Sequence, residues 1–186
     1  VAPLQGRLSS PSSRRPMRLP IGGTMLYPDG MFATLALLAA SVTGIPQACT
    51  PGAPGPAALV TVHGFKDRVG NLRVAIYPAN EEDFLASGRF VQRLDTPVTP
   101  SGTMTVCAPV PSAGPHIVAV LHDRDANGKF GAFRDGVGFS RNPRLGLAKP
   151  KISSVTVDLQ GVKEMSVELN YMHGLRPSPV REPHNP

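Results

Sequence analysis

Proline and glycine interrupt this sequence so often that they decide which folds it can adopt: 21 prolines and 19 glycines occur among 186 residues. Proline breaks helices and glycine weakens them, so long helices and coiled coils are excluded. Between the interruptions lie short runs in which apolar and polar residues alternate, as in residues 72–77 and 155–159. Alternation with a period of two is typical of strands that bury one face. The sequence therefore predicts an all-β fold.

About seven such runs can be counted, and none of them alternates with a helix in the rhythm of a parallel sheet. We predict an antiparallel β-sandwich of the immunoglobulin/transthyretin-like kind over residues 59–174, with one long loop. Residues 117–121 are apolar on both faces, which indicates a central strand. Residues 155–159 and 165–171 flank Gly161 and predict a hairpin. The proline-rich residues 175–186 are predicted to be a disordered tail.

Residues 31–42 form an uncharged apolar stretch near the start of the chain. A membrane-spanning helix needs about 20 residues, so this stretch is too short to span a bilayer. It suits the h-region of a signal peptide, with arginines upstream and small residues downstream. We therefore interpret residues 1–48 as an extension with a signal peptide cleaved after Ala48, which predicts a periplasmic or secreted protein without a transmembrane span in its mature form.

The chain has two cysteines, Cys49 and Cys107. Cys49 directly follows the predicted cleavage point and begins a Pro/Gly-rich spacer over residues 49–58. Two interpretations are open: lipid attachment at Cys49, or a disulfide between the two cysteines. The disulfide is favoured because Pro46 and Gln47 fit a lipid-attachment signal poorly. By loop-closure entropy it would stabilise the fold by about 4 kcal/mol.

The formal net charge is +6, which raises the question of a nucleic-acid partner. Four of the positive charges, however, precede Cys49, at Arg7, Arg14, Arg15 and Arg18. In the remainder the charges are interspersed and the phenylalanines fall within apolar patterns. Nucleic-acid binders concentrate positive charge and stacking aromatics on the folded domain, so no nucleic-acid partner is expected.

An acidic motif opens the predicted long loop between Leu121 and Ser153. Asp123, Asp125 and Asn127 occupy alternate positions and Gly128 follows them. This spacing matches the first half of a calcium loop, in which oxygen ligands wrap a hard cation and glycine permits a sharp turn. The candidate metal ligands are Asp123, Asp125, Asn127 and Asp135.

Two interpretations of this motif remain open. Arg134 stands where the bidentate glutamate of an EF-hand should be, and a strand precedes the loop instead of a helix. The motif can thus be a cation site, with Ca2+ as the candidate ion, or a rigid polar turn closed by its own side chains. In either case His122 and Gly128 are expected to orient the loop.

The far end of the loop carries four basic residues, Arg141, Arg144, Lys149 and Lys151. They form a candidate patch for an anionic ligand. The alternative is the solvated edge of a loop.

Three segments in order resemble the bacterial domain of unknown function 2141 family: residues 122–129 (HDRDANGK), 138–143 (GFSRNP) and 167–171 (VELNY). Members of that family carry an HD-x-[DN]-x-NGK loop, a G-F-S-x-[ND] step and a last strand that ends in tyrosine. The resemblance extends from about residue 59 to 171. It implies an exported bacterial β-sandwich with no established activity, and it supplies no catalytic residues.

We therefore expect an uncharacterised exported β-sandwich that acts as a non-enzymatic binding or envelope-associated module. No cofactor is required, Ca2+ is the candidate ion, and the partner would be an envelope component or a small ligand. The alternative is a metal-dependent hydrolase that uses the same acidic loop. Against it, the histidines show no metal-ligand spacing such as H-E-x-x-H, and no G-x-S-x-G elbow is present.

Overall fold

The computed structural model describes residues 41–180 of the chain, of which 45% are in strands and 6% in helices. The strands are β1 (Val42–Gly44), β2 (Ala57–His63), β3 (Asn71–Pro78), β4 (Gln92–Pro97), β5 (Met104–Pro109), β6 (Gly114–Asp123), β7 (Gly136–Phe139), β8 (Thr156–Leu159), β9 (Val162–Glu168), β10 (Asn170–His173) and β11 (Arg176–Pro179). A 3-10 helix covers Pro46–Cys49 and a short helix, α1, covers Ile152–Val155. None of the helices within residues 41–180 has the length and hydropathy that a membrane span requires.

The strands form two sheets. The smaller sheet has the order β1-β5-β2-β9, and the larger has the order β11-β10-β7-β6-β3-β4. β8 belongs to the larger sheet as well: it pairs with residues 114–117 of β6, and β7 pairs with residues 119–122. Most neighbouring strands are antiparallel, but β1 runs parallel to β5 and β2 runs parallel to β9. The predicted all-β sandwich is confirmed.

The core lies between the two sheets and follows the period-two pattern of the sequence. Val60 and Val62 of β2 are fully buried against Val74 and Ile76 of β3, with Val118 of β6 beside them. Branched aliphatic side chains fit this pleated interface, and burying each one contributes roughly 1.5–3 kcal/mol. A second apolar cluster lies around Phe84 and Phe139, on the other side of the larger sheet from this core.

Cys49 and Cys107 form a disulfide that ties the 3-10 helix to β5, with a Cα–Cα distance of 5.9 Å. Gly44 of β1 reaches β5 so closely that a Cβ there would lie 2.5 Å from the Cys107 carbonyl oxygen. The Ile45 amide then donates to that same oxygen at 3.0 Å. The chain is therefore fixed to β5 on both sides of the predicted cleavage point.

The structure differs from the sequence prediction in the number and pairing of strands. Eleven strands occur within residues 41–180, where about seven were expected. The predicted hairpin around Gly161 is wrong, because β8 pairs with β6 in the larger sheet and β9 pairs with β2 in the smaller one. The run at residues 165–171 is divided as well: the chain passes from one sheet to the other at Leu169, between β9 and β10.

Strands also occur in the two segments that precede and follow the predicted domain. β11 lies in the segment predicted as a tail and pairs with β10 along its whole length. It can do so despite two prolines because β11 lies at the sheet edge, where proline is tolerated. Most of the predicted h-region lies outside the described residues, but its last residue, Val42, begins β1.

Gly138 allows the two sheets to approach each other at β7, and its substitution tests that contact. A Cβ there would lie 2.6 Å from Val167 Cγ1 and 2.7 Å from the Glu168 carbonyl oxygen. We expect Gly138→Ala to lower the free energy of unfolding by about 1–3 kcal/mol, because a backbone atom cannot move aside easily. The measurement is urea denaturation followed by circular dichroism.

The matched control is Gly161→Ala, because a Cβ at Gly161 has no atom within 4 Å. Its free energy of unfolding should stay within about 0.5 kcal/mol of the wild type. Equal stability of the two variants would contradict a close contact between β7 and β9.

Candidate functional site

The acidic loop connects the end of β6 at Asp123 to the start of β7 at Gly136. It is therefore shorter than the sequence predicted, because β7 divides the expected long loop in two. Asp123 is buried, and its carboxylate accepts hydrogen bonds from the Asn127 amide at 3.2 Å and the Gly128 amide at 2.8 Å. Gly128 has a φ of 76°, a left-handed conformation that favours glycine. The motif thus closes a tight turn at its first aspartate.

Side chains make most of the hydrogen bonds in the middle of the loop. Asp125 accepts from the Asn127 side-chain amide at 2.8 Å and pairs with Arg134. The Asn127 side-chain oxygen accepts from the Lys129 amide at 2.7 Å. These are the local hydrogen bonds expected of Asp and Asn in turns.

Asp135 closes the far end of the loop. It is buried, and its two oxygens accept from the Arg124 amide at 3.0 Å and the Gly131 amide at 2.7 Å. Arg124 in turn forms an ion pair with Asp67, in the segment between β2 and β3. This hydrogen-bonded pair lowers the pKa of Asp67. Both ends of the loop are therefore fixed by carboxylates that receive backbone N–H groups.

The loop also brings together three of the four residues predicted as metal ligands. One carboxylate oxygen from each of Asp123, Asp125 and Asp135 lies within 4.8 Å of the others. Such oxygens are the ligands that Ca2+ takes, but it requires six to eight of them. Here backbone amides bind both oxygens of Asp123 and both of Asp135. The hydrogen bonds therefore account for the loop's shape without a cation.

His122 is fully buried beside this loop and contacts other parts of the fold. Its Nε2 lies 2.8 Å from the Val69 carbonyl oxygen, and its Nδ1 lies 2.6 Å from the Tyr171 hydroxyl. A carbonyl only accepts, so Nε2 carries the proton and Nδ1 accepts from the tyrosine. The Tyr171 oxygen in turn accepts from the Lys66 amide at 3.1 Å. The ring thus joins the end of β6 to β10 and to the β2–β3 segment.

Burial determines the charge state of both rings. It lowers the pKa of His122 and raises the pKa of Tyr171 to about 12, because each charged form would be removed from water. A neutral histidine and a protonated tyrosine are the partners that this hydrogen bond requires. With both ring nitrogens engaged, His122 offers no free nitrogen to a metal held by the acidic loop.

The three family-like segments meet in space. His122 of the first contacts Tyr171 of the third. Gly136 lies just before the second segment, where a Cβ would lie 2.4 Å from the Tyr171 ring, and Gly138 fits equally closely against β9. Their residue types follow from packing between the sheets.

Asn142, in the second family-like segment, forms hydrogen bonds with the backbone of β9. Its side-chain oxygen accepts from the Glu168 amide at 2.8 Å, and its side-chain nitrogen donates to the Ser166 carbonyl at 3.0 Å. The residue has a φ of 46°, which asparagine tolerates better than most residues. The carboxamide thus forms the two hydrogen bonds that the backbone of a neighbouring strand would form with β9.

An apolar groove of about 500 Å3 lies on the outer face of the larger sheet. Its floor follows from the register: Ala75 of β3 is opposite Ala119 of β6, which is opposite Phe139 of β7. Larger outward side chains, including Tyr77 and Leu121, flank the two alanines. Because alanine extends only a methyl group from the sheet, the floor is low at its centre.

Two loops form the walls of the groove. Phe130 and Phe133 come from the acidic loop, and Leu147 comes from the irregular segment between β7 and α1. These side chains are 57%, 76% and 77% exposed. Exposed large apolar side chains around a concave apolar surface are typical of a binding site.

The four predicted basic residues lie on the same irregular segment. All four are exposed and line a depression that shares residues 146–150 with the groove. Lys149 belongs to both, and its ammonium group donates to the Phe84 carbonyl at 3.3 Å. The Arg141 side chain donates to the Ser153 carbonyl at 3.1 Å.

None of the groove residues Ala75, Ala119, Phe133 and Leu147 is among the sites predicted from the sequence. One signal was available: residues 117–121 are apolar on both faces. That pattern predicts a central strand, and β6 does lie between β3 and β7. Its outward face also forms the groove floor beyond Ile117. Strand register determines where small residues become neighbours, and it cannot be obtained from one strand alone.

A comparison with known proteins gives one match. The family model described as an uncharacterized protein conserved in bacteria (DUF2141) matches residues 60–168. No curated protein and no solved structure matches the chain. The immunoglobulin/transthyretin-like comparison therefore stays a prediction.

Removing the Tyr171 hydroxyl tests the buried hydrogen bond. Tyr171→Phe leaves His122 Nδ1 and the Lys66 amide without a partner, so we expect the free energy of unfolding to fall by about 1–3 kcal/mol. Tyr77→Phe is the matched control, because within residues 41–180 its hydroxyl has no hydrogen-bond partner. Chemical denaturation of both variants measures the difference. Similar losses in the two would show that the hydroxyl contributes no special stability.

Proposed function

The chain belongs to the DUF2141 family of uncharacterised bacterial proteins, and from that premise we propose that it is an exported, non-enzymatic binding protein whose site is the groove on the larger sheet. The groove carries the proposal. Its volume of about 500 Å3 falls within the roughly 300–1,000 Å3 of small-molecule sites. Its lining is mostly apolar with few polar groups, which suits an apolar ligand.

The charged groups in the groove support binding over catalysis. Arg73 pairs with Asp95 at 2.7 Å and also donates to the Gly128 carbonyl at 3.0 Å. Asp135 accepts two backbone amides, as described above. Lys149, the third charged group of the lining, donates to the Phe84 carbonyl at 3.3 Å. Groups engaged in this way hold the walls in place, and none of the three is positioned as a free acid or base. The metal-dependent hydrolase remains the alternative.

Export is supported by two features of the chain. Residues 31–42 have the character of a signal-peptide h-region. The disulfide between Cys49 and Cys107 is of a kind that persists in oxidising compartments and is rare in the cytosol. A periplasmic or secreted location would place the groove where envelope components and small apolar molecules meet it.

Filling the groove floor tests the binding site. We expect the neutral fluorescent probe N-phenyl-1-naphthylamine to bind the wild type saturably with a rise in emission. Ala119→Leu should reduce its affinity at least about tenfold, because the new side chain occupies the low centre of the floor. Titration of probe fluorescence measures both affinities.

Ser166→Leu is the control, because it adds the same side chain at an exposed position on β9, in the other sheet. Probe binding there should equal the wild type. A wild type that does not bind the probe, or an Ala119→Leu variant that binds it unchanged, would refute the groove as the site.

A second candidate function is calcium binding by the acidic loop, favoured by the approach of Asp123, Asp125 and Asp135. Bound Ca2+ would replace part of the repulsion among three carboxylates with direct coordination. It would act as a structural ion that steadies the loop carrying Phe130 and Phe133.

A melting experiment tests this candidate. Ca2+ at a hundredfold excess over its Kd should stabilise the wild type by about 2.7 kcal/mol, seen as a higher Tm. Asp125→Ala should abolish that gain, whereas Asp158→Ala, at an exposed position on β8, should keep it. If millimolar Ca2+ leaves the wild-type Tm unchanged, the loop is closed by its hydrogen bonds alone.

A further inference from the structure

We propose that the groove and the basic depression beside it form one site for a single-chain anionic amphiphile, with the alkyl chain on the groove floor and the anionic head among Arg141, Arg144, Lys149 and Lys151. This inference rests on the proposed binding function and specifies its ligand class.

The two concave surfaces adjoin each other along one segment. Residues 146–150 line both of them, so the segment that forms one wall of the groove also borders the depression. Leu147 presents its side chain at this shared border and is largely exposed. A ligand longer than the groove would therefore extend past Leu147 and Lys149 into the depression.

Apart from Lys149 in the shared segment, the charged groups of the groove are already engaged. Arg73 pairs with Asp95 at 2.7 Å, and the Asp135 carboxylate accepts hydrogen bonds from two backbone amides. Phe130, Phe133 and Leu147 dominate its mouth. This part of the site suits an alkyl chain, which gains from leaving water and needs no polar partner.

The depression has the opposite character. No acidic residue lines it, and within the described residues none of its four cations is paired with a carboxylate. Arg141 and Lys149 donate only to neutral carbonyls, those of Ser153 and Phe84. Their positive charge is therefore not compensated locally. A carboxylate or similar anion would supply the missing negative charge through charge-assisted hydrogen bonds.

Together these features select the ligand by its two ends. An uncharged apolar molecule would use only the groove, and a small inorganic anion would use only the depression. An anionic amphiphile would use both, with its head held on the side of Lys149. The exposed phenylalanines of the opposite wall would then cover the chain.

The test compares three ligands with the same ten-carbon chain and different heads: decanoate, decan-1-ol and decyltrimethylammonium. Each is titrated by displacement of N-phenyl-1-naphthylamine from the exported protein. Decanoate and decyltrimethylammonium are kept below their critical micelle concentrations, and decan-1-ol is kept below its aqueous solubility. We expect decanoate to bind about tenfold more tightly than decan-1-ol, the gain expected from a charged hydrogen bond. Decyltrimethylammonium should bind more weakly than the alcohol because the depression repels it.

The double variant Arg144→Gln/Lys151→Gln tests the head-group site. It should reduce decanoate affinity to the level of decan-1-ol and leave the affinities for decan-1-ol and the neutral probe unchanged. Lys163→Gln is the control for lost charge, because it lies exposed on β9 of the other sheet. Decanoate affinity should also fall as salt rises, whereas decan-1-ol affinity should not.

The outcomes separate this inference from the proposed function. Probe binding with equal affinities for the three heads would overturn the inference and leave the groove as an apolar site. Failure of the probe and of all three ligands would overturn both. Adsorption to vesicles of anionic phospholipid, without saturable binding of decanoate, would identify a membrane-docking surface and also overturn the inference.

Discussion

The hydrogen bond between His122 and Tyr171 fixes the geometry on which the rest of this fold depends. It is buried where β6 ends and joins β6 to β10. The same two side chains also form hydrogen bonds with the backbone of Val69 and Lys66, in the segment that connects β2 with β3. A neutral ring and a protonated phenol can be buried at little cost only when each has its partner. Because β6 is fixed at His122, the acidic loop begins at a defined point and its phenylalanines reach the groove.

Small residues act on both faces of the larger sheet. On the inner face, Gly136 and Gly138 let β7 approach Tyr171 and β9 within distances that a side chain would prevent. On the outer face, Ala75 and Ala119 lie opposite each other and lower the floor of the groove. The two glycines therefore let the sheet pack closely on one side, and the two alanines leave space on the other.

The strand content could be predicted from local pattern, and the pairing of the two cysteines from their number. Pairing between distant strands could not. Nothing in residues 155–171 shows that the chain changes sheets after β8 and again at Leu169. Alternation shows which face of a strand is buried, but it does not show which strands pair with it. The groove was missed for the same reason, since Ala75 and Ala119 become neighbours only through register.

The contact of Asn142 with Ser166 and Glu168 also affects how this protein meets other copies of itself. β9 is the last strand of the smaller sheet, and an unpaired strand edge is a template for aggregation. The carboxamide occupies two of the backbone groups that an incoming chain would need, and Lys163 and Glu164 place charges farther along the same strand. One asparagine held in a left-handed turn thus occupies one end of this strand edge, and charged side chains line the rest of it.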